Sequence, residues 1–312
     1  MLYLKFMRIV PFIFRVCLYL SIIGLQGALA SPPGIGNFSL KSSQQPGPFF
    51  SFGQNIIDRD QFIVSTNPTY TYSKSQSITE ETPSFLYGVA DTASFLLTIP
   101  IALSYQNENK TISGIGDLVI DLEYAFYNHD NKKYSDQATI IFSPTLPTGN
   151  LNGVSKKFYP DARVSGFSRK NAPSSFNAVS YFIGSTYART FTDWYGFLAP
   201  GVLFIEKYKS LQQGTQYYYN IGLGHTITTL ENQYIFSGLI ELNGDYSERS
   251  RLAGNTVPNT GGNIIYATPS LWLSTPRMVF QIGIALPVSQ FWYGNQSDIS
   301  YYTGALFSWT IH

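Results

Sequence analysis

From Arg277 to Gln290 the chain alternates without a lapse. One parity carries Met278, Phe280, Ile282, Ile284, Leu286 and Val288, and the other carries Val279, Gln281, Gly283, Ala285, Pro287 and Ser289. A period of two marks an extended strand whose two faces meet different surroundings. Residues 117 to 127 repeat it: Leu118, Ile120, Leu122, Tyr124 and Phe126 oppose Asp117, Val119, Asp121, Glu123 and Ala125. Residues 94 to 105 do so with one lapse, at Leu96. A soluble strand has about five or six residues. These runs are roughly twice that, the length of a tilted strand crossing about 25 Å of hydrocarbon. In hydrocarbon every backbone N–H and C=O must be paired, so strands can span only as a sheet closed on itself. A soluble sandwich also alternates, but its outer face would carry Lys and Glu rather than Leu, Ile, Phe and Tyr.

The expected fold is therefore all-β, a transmembrane antiparallel β-barrel of about twelve strands. Candidate strands lie near 61–74, 83–90, 94–105, 117–127, 134–147, 177–189, 194–208, 215–228, 233–246, 263–273, 277–290 and 299–311. Tight connectors at 90–92, 190–193, 230–232 and 275–277, and a medium one at 128–133, interleave with longer ones at 106–113, 148–176, 209–214, 247–262 and 291–298. Short periplasmic turns and long external loops are the outer-membrane pattern, and an even strand count puts both termini in the periplasm. Composition agrees: aromatics make up 16% of the chain and charged residues only 12%, about half the soluble norm of roughly 25%. After residue 30 no 18-residue apolar run exists, so helical spanning is not expected.

Residues 1–30 read as a cleaved signal peptide. Lys5, Arg8 and Arg15 precede a long apolar run that closes on Ala28-Leu29-Ala30. Without them the chain keeps 17 of its 20 basic residues and all 19 acidic ones, which excludes the basic excess of a nucleic-acid binder. Cys17, the single cysteine, falls in the same segment, so disulfides and cysteine-ligated metals are not expected. Residues 31–60, rich in Pro, Gly, Ser and Gln, form an N-terminal segment that either plugs the lumen or hangs in the periplasm. Residues 61–312 form the barrel.

Parity puts Asp117, Asp121 and Glu123, then Glu241, Asn243 and Asp245, and also Gln281, on the face turned from lipid. A charge near the bilayer midplane costs about 2–4 kcal/mol for Lys or Arg when it faces lipid, so the interior is the favourable place. These seven are the lumen-lining candidates. They either tune permeation or rigidify a narrow barrel by pairing with Lys207, Lys209 or Arg189. A phospholipase-like Ser-His-Asn site fits poorly, because His129 falls in a turn, His312 ends the chain and His225 sits on the lipid-facing parity. Three scattered histidines suit no metal, and Pro33-Gly34-Ile35-Gly36 lacks the lysine of a phosphate loop, so no cofactor is expected. Tyr302, Gly304, Phe307 and Trp309 have the spacing of the C-terminal signal read by the barrel-assembly machinery, without its terminal aromatic.

Gly114-Ile115-Gly116-Asp117-Leu118, running into Asp121-Leu122-Glu123-Tyr124-Ala125-Phe126, resembles the outer-membrane family named for the meta-cleavage pathway of phenol degradation. Phe85-Leu86-Tyr87-Gly88-Val89-Ala90-Asp91 is similar to that family's tyrosine-glycine hairpin. Ser143-Pro144-Thr145-Leu146-Pro147-Thr148-Gly149 is similar to its proline-threonine-glycine strand end. Ser270-Leu271-Trp272-Leu273 and Ile284-Ala285-Leu286-Pro287-Val288 resemble its final hairpins. The resemblance implies a channel or transporter in a Gram-negative outer membrane that passes small, hydrophobic or aromatic solutes. Its partners would be membrane lipid, the barrel-assembly machinery and the solutes, with oligomeric state left open. The alternatives are a structural or adhesive barrel that binds through its external loops and, as a minor one, a phospholipase.

Overall fold

The structure is a computed structural model. It describes residues 46–74, 76–107, 110–151, 178–230 and 233–311. The predicted signal peptide and residues 31–45 lie outside the described residues, as do His312 and most of the 148–176 connector.

Twelve staves close into one barrel, and the first four are each broken in the middle. They are β1 (Phe62–Thr66) with β2 (Pro68–Ser73), β3 (Gln76–Glu81) with β4 (Ser84–Ala90), β5 (Ala93–Thr98) with β6 (Ile101–Asn107), and β7 (Lys110–Ile115) with β8 (Leu118–Asp130). Next come β9 (Tyr134–Leu146), the short β10 (Asn150–Leu151) that pairs β7, β11 (Ser180–Phe191) and β12 (Trp194–Ile205). After the two-residue β13 (Leu211–Gln212) follow β14 (Gln216–Leu230) and β15 (Tyr234–Ser247). Beyond β16 (Arg251–Leu252) and β17 (Asn255–Thr256) the last staves are β18 (Gly262–Ser274), β19 (Met278–Trp292) and β20 (Ile299–Ile311). All pairings are antiparallel, and β20 returns to the first stave, from Phe62↔Ile311 to Thr69↔Gly304, so the sheet has no edge. β13, β16 and β17 form a small separate sheet that braces the long loops at one end.

The predicted alternation is visible side chain by side chain. Ile240, Glu241 and Leu242 are 54%, 0% and 48% exposed, so the apolar parity faces outward and the polar one faces the interior. A cation on that outer face has no water to solvate it. Ile240→Arg is expected to destabilise the barrel by about 2–4 kcal/mol, read by urea titration of folding into lipid vesicles. An unchanged midpoint would place this face in water.

The breaks in the first four staves fall at one level: Asn67, Thr82-Pro83, Ile99-Pro100 and Gly116-Asp117. Pro68, Pro83 and Pro100 lie at or beside these breaks and have no N–H to give the ladder there. The wall bends there and stays bonded, because Thr82 donates to Asn67 O (3.2 Å), Ile99 to Pro83 O (3.1 Å) and Gly116 to Pro100 O (2.7 Å).

Three expectations are corrected. The stretch between the first two candidate strands is mostly strand, β3, and in the supposed long loop at 106–113 the described residues are strand, the end of β6 to Asn107 and β7 from Lys110. Both lie at the end with the long loops, and in β3 the neighbours Ser77, Thr79 and Glu81 alternate among polar residues, so no apolar face marks the strand. The medium connector shrinks to 131–133, which moves His129 from a turn onto the end of β8.

Candidate functional site inside the barrel

A lumen of this size is narrow, and here residues 46–60 run through it. Phe49, Phe50, Ser51, Phe52, Ile56 and Ile57 are all buried. Without regular structure of its own, this strap has backbone groups to satisfy, and a buried unpaired N–H costs about 1–3 kcal/mol. Two carboxylates on the wall accept five of them. Glu241 receives the N–H groups of Phe49 (2.5 Å), Phe50 (3.3 Å) and Ser51 (3.0 Å). Glu123 receives those of Gln54 (2.8 Å) and Asn55 (3.1 Å). Successive N–H groups can converge on one anion when the backbone curls, as in a nest. The curl at Glu123 uses two consecutive left-handed residues, Gly53 (φ 78°) and Gln54 (φ 63°).

The wall holds both acids in place. Asn243 donates to Glu241 Oε2 (3.1 Å) and to Asn220 Oδ1 (3.2 Å), and accepts from the Thr268 hydroxyl (2.8 Å). Thr139 donates to Glu123 Oε1 (2.7 Å) and lies 2.8 Å from the Thr186 hydroxyl. Gln281 donates to Gly47 O (3.3 Å) and Ser270 Oγ (3.2 Å). At the exit, Ile57 N–H reaches Ser94 Oγ (3.3 Å) and Asp60 N–H reaches Gly88 O (2.8 Å).

Between the polar anchors the strap inserts rings. Phe50 packs on Tyr266 and Tyr302 with centroids 5.2 and 5.0 Å apart, and Phe52 packs on Phe182 at 4.7 Å. Each fully buried ring contributes about 1.5–3 kcal/mol. The wall makes room for Phe49 by having no side chain at Gly283, where a Cβ would lie 2.7 Å from the ring.

Of the seven lumen candidates, Glu123, Glu241 and Gln281 bond the strap directly, and Asn243 acts through Glu241. Asp117 and Asp121 are buried on the same inner face. Asp117 accepts the Gly149 N–H (2.9 Å) and so ties the 147–149 turn. Asp245 accepts from Ser247 (3.3 Å) on β15, two residues beyond Asn243. The proposed cationic partners are not found at these acids. Arg189 lies on the outer parity of β11, between inward Ala188 and Thr190, and forms a bidentate pair with Asp136 (2.6 and 2.7 Å) while stacking 4.3 Å from the Tyr134 ring. Lys207 and Lys209 lie exposed in the loop after β12, with Lys209 over the Tyr208 ring. The anchor acids accept backbone N–H groups of the strap, which parity could not reveal. The one available hint was Phe49, Phe50 and Phe52 in a segment otherwise rich in Pro, Gly, Ser and Gln.

Elsewhere, His225 is exposed, stacked 4.3 Å from Trp194, with Nδ1 2.8 Å from Asp193 O. On β20, Tyr302 points inward, Gly304 lies under the strap near Phe49, and Phe307 and Trp309 are exposed on the outer face.

A closed twelve-stranded barrel with an apolar exterior defines a transmembrane β-barrel of the Gram-negative outer-membrane type. Among solved structures, one agrees in fold and two more match at lower scores. An outer-membrane channel from Pseudomonas putida F1 superposes with a TM-score of 0.62 at 12% identity, over 86% of this chain and 99% of that one. The NanC porin matches at 0.45 and 9% identity, over 80% and 100%. The toluene transporter TbuX of Ralstonia pickettii matches at 0.38 and 11% identity, over 91% and 95%. No protein-family model and no curated sequence matches the chain.

Proposed function

We propose that the chain is an outer-membrane channel or transporter for small solutes, hydrophobic or aromatic ones among them, and that its own N-terminal strap closes it. The observation that carries this reading is the seating of five strap N–H groups on Glu241 and Glu123 inside the barrel. A rigid structural barrel would be served by side chains filling its lumen. A backbone strap bound through two carboxylates is instead a separable element, able to leave as a unit while the wall keeps its own ladder.

Liposome swelling in a small uncharged sugar tests it. Vesicles carrying the unaltered protein should swell slowly, and vesicles carrying Glu123→Ala with Glu241→Ala several-fold faster. Equal rates at the level of empty vesicles would favour a structural barrel that binds through its external loops.

A further inference from the structure

Beside the strap lies a cavity of about 120 Å³ that the closure does not use. The strap forms one side with Gly53, Gln54, Asn55 and Ile57, and the bent wall forms the other, at the level where the first three staves break. Six of its eighteen lining residues are aliphatic, Ile57, Ile63, Leu86, Leu96, Val279 and Leu306, and with the carbon atoms of the others they make most of the lining surface apolar. Four of its lining residues each carry a buried polar atom with no hydrogen-bond partner: Gln54 Nε2, Asn67 Oδ1, Thr82 Oγ1 and Trp272 Nε1. Ser65 and Ser84, in contrast, satisfy each other at 2.9 Å.

Unpaired buried polar groups each cost about 1–3 kcal/mol, so four around one void call for an occupant. Water would fit the volume and reach the polar points, yet it would leave a mostly apolar surface wetted, which the body of a single apolar molecule would cover. A single compact molecule with an apolar body and one hydroxyl matches better. Trp272 and Gln54 offer donors, Asn67 an acceptor and Thr82 either. Among the described residues no Lys, Arg, Asp or Glu lines the cavity, so a charged ligand would find no counter-charge there. An engineered apolar cavity of about 150 Å³ admits benzene, which sets the upper size.

We propose that this cavity is a binding site for a small neutral alcohol of about five carbons, held between strap and wall. The site rests on the reading of the strap as a closing element and gives the channel a place where an uncharged solute halts beside its gate.

The probe is cyclopentanol, added to the full chain in detergent micelles, and the readout is the set of indole N–H resonances. The chain has four tryptophans, so Trp194, Trp292 and Trp309 serve as internal controls. A saturable shift confined to Trp272 is expected, weakened at least tenfold by Asn67→Leu or Thr82→Val, absent with cyclopentanecarboxylate and much weaker with cyclopentane. No saturable shift, the sign of a cavity holding only water, would overturn the site, as would an equal response to cyclopentane. The swelling assay on the anchor variants does not depend on this outcome, so either reading can fail alone.

Discussion

Removal of residues 46–57 is expected to raise single-channel conductance in planar bilayers several-fold over that of the full chain, with no loss of the folded barrel. The strap contributes no strand to the wall, whose closure runs through β20 and the first stave. Deleting it leaves the ladder intact and empties the part of the lumen that the strap fills. Folding is read from the heat-modifiable electrophoretic shift typical of closed barrels, so a collapsed variant would not be mistaken for a sealed one. Unchanged conductance from a folded deletion variant would mean that another element blocks the lumen.

Glu241→Ala should have the largest effect of any single substitution on the strap. It strips the acceptor from the N–H groups of Phe49, Phe50 and Ser51 and leaves Asn243 without one partner. Hydrogen bonds to a charged group are worth about 1.5–3 kcal/mol each and are not additive within one cluster. A loss of about 3 kcal/mol overall corresponds to a roughly hundredfold rise in the fraction of open strap, at about 1.4 kcal/mol per tenfold. Thiol labelling at Ser51→Cys, with Cys17→Ser, reports that fraction, because the Ser51 side chain is buried at 1% exposure. Glu241→Gln keeps one carbonyl acceptor and should fall between. Equal labelling rates for all three would show that the aromatic packing of Phe50 and Phe52 holds the strap unaided.

The wall was legible in the sequence because the bilayer imposes one rule at every second residue. β8 and β19 follow it with few exceptions, and the inward placement of Glu123, Glu241 and Gln281 followed from parity alone. Legibility faded wherever that rule lapses. β3 rises among polar neighbours, so nothing apolar marks its outer face. β11 carries inward Phe182 and outward Ser185, which blurs its two faces and hid the outward pairing of Arg189 with Asp136. The strap was the hardest part. It has no period, and its place is fixed by backbone amides meeting carboxylates more than sixty residues away in sequence for Glu123 and about 190 away for Glu241. Side-chain patterns carry no record of such contacts, since any residue but proline supplies the same N–H.

The most direct measurement is the labelling rate of Ser51→Cys, with Cys17→Ser and no other change, by a membrane-impermeant maleimide, set against Thr256→Cys on the exposed β17. A strap held in the lumen by Glu123 and Glu241 predicts labelling at Ser51 at least a hundredfold slower than at Thr256, with the protection lost when both glutamates become alanine. Labelling at Ser51 as fast as at Thr256 in the otherwise unaltered chain would contradict it.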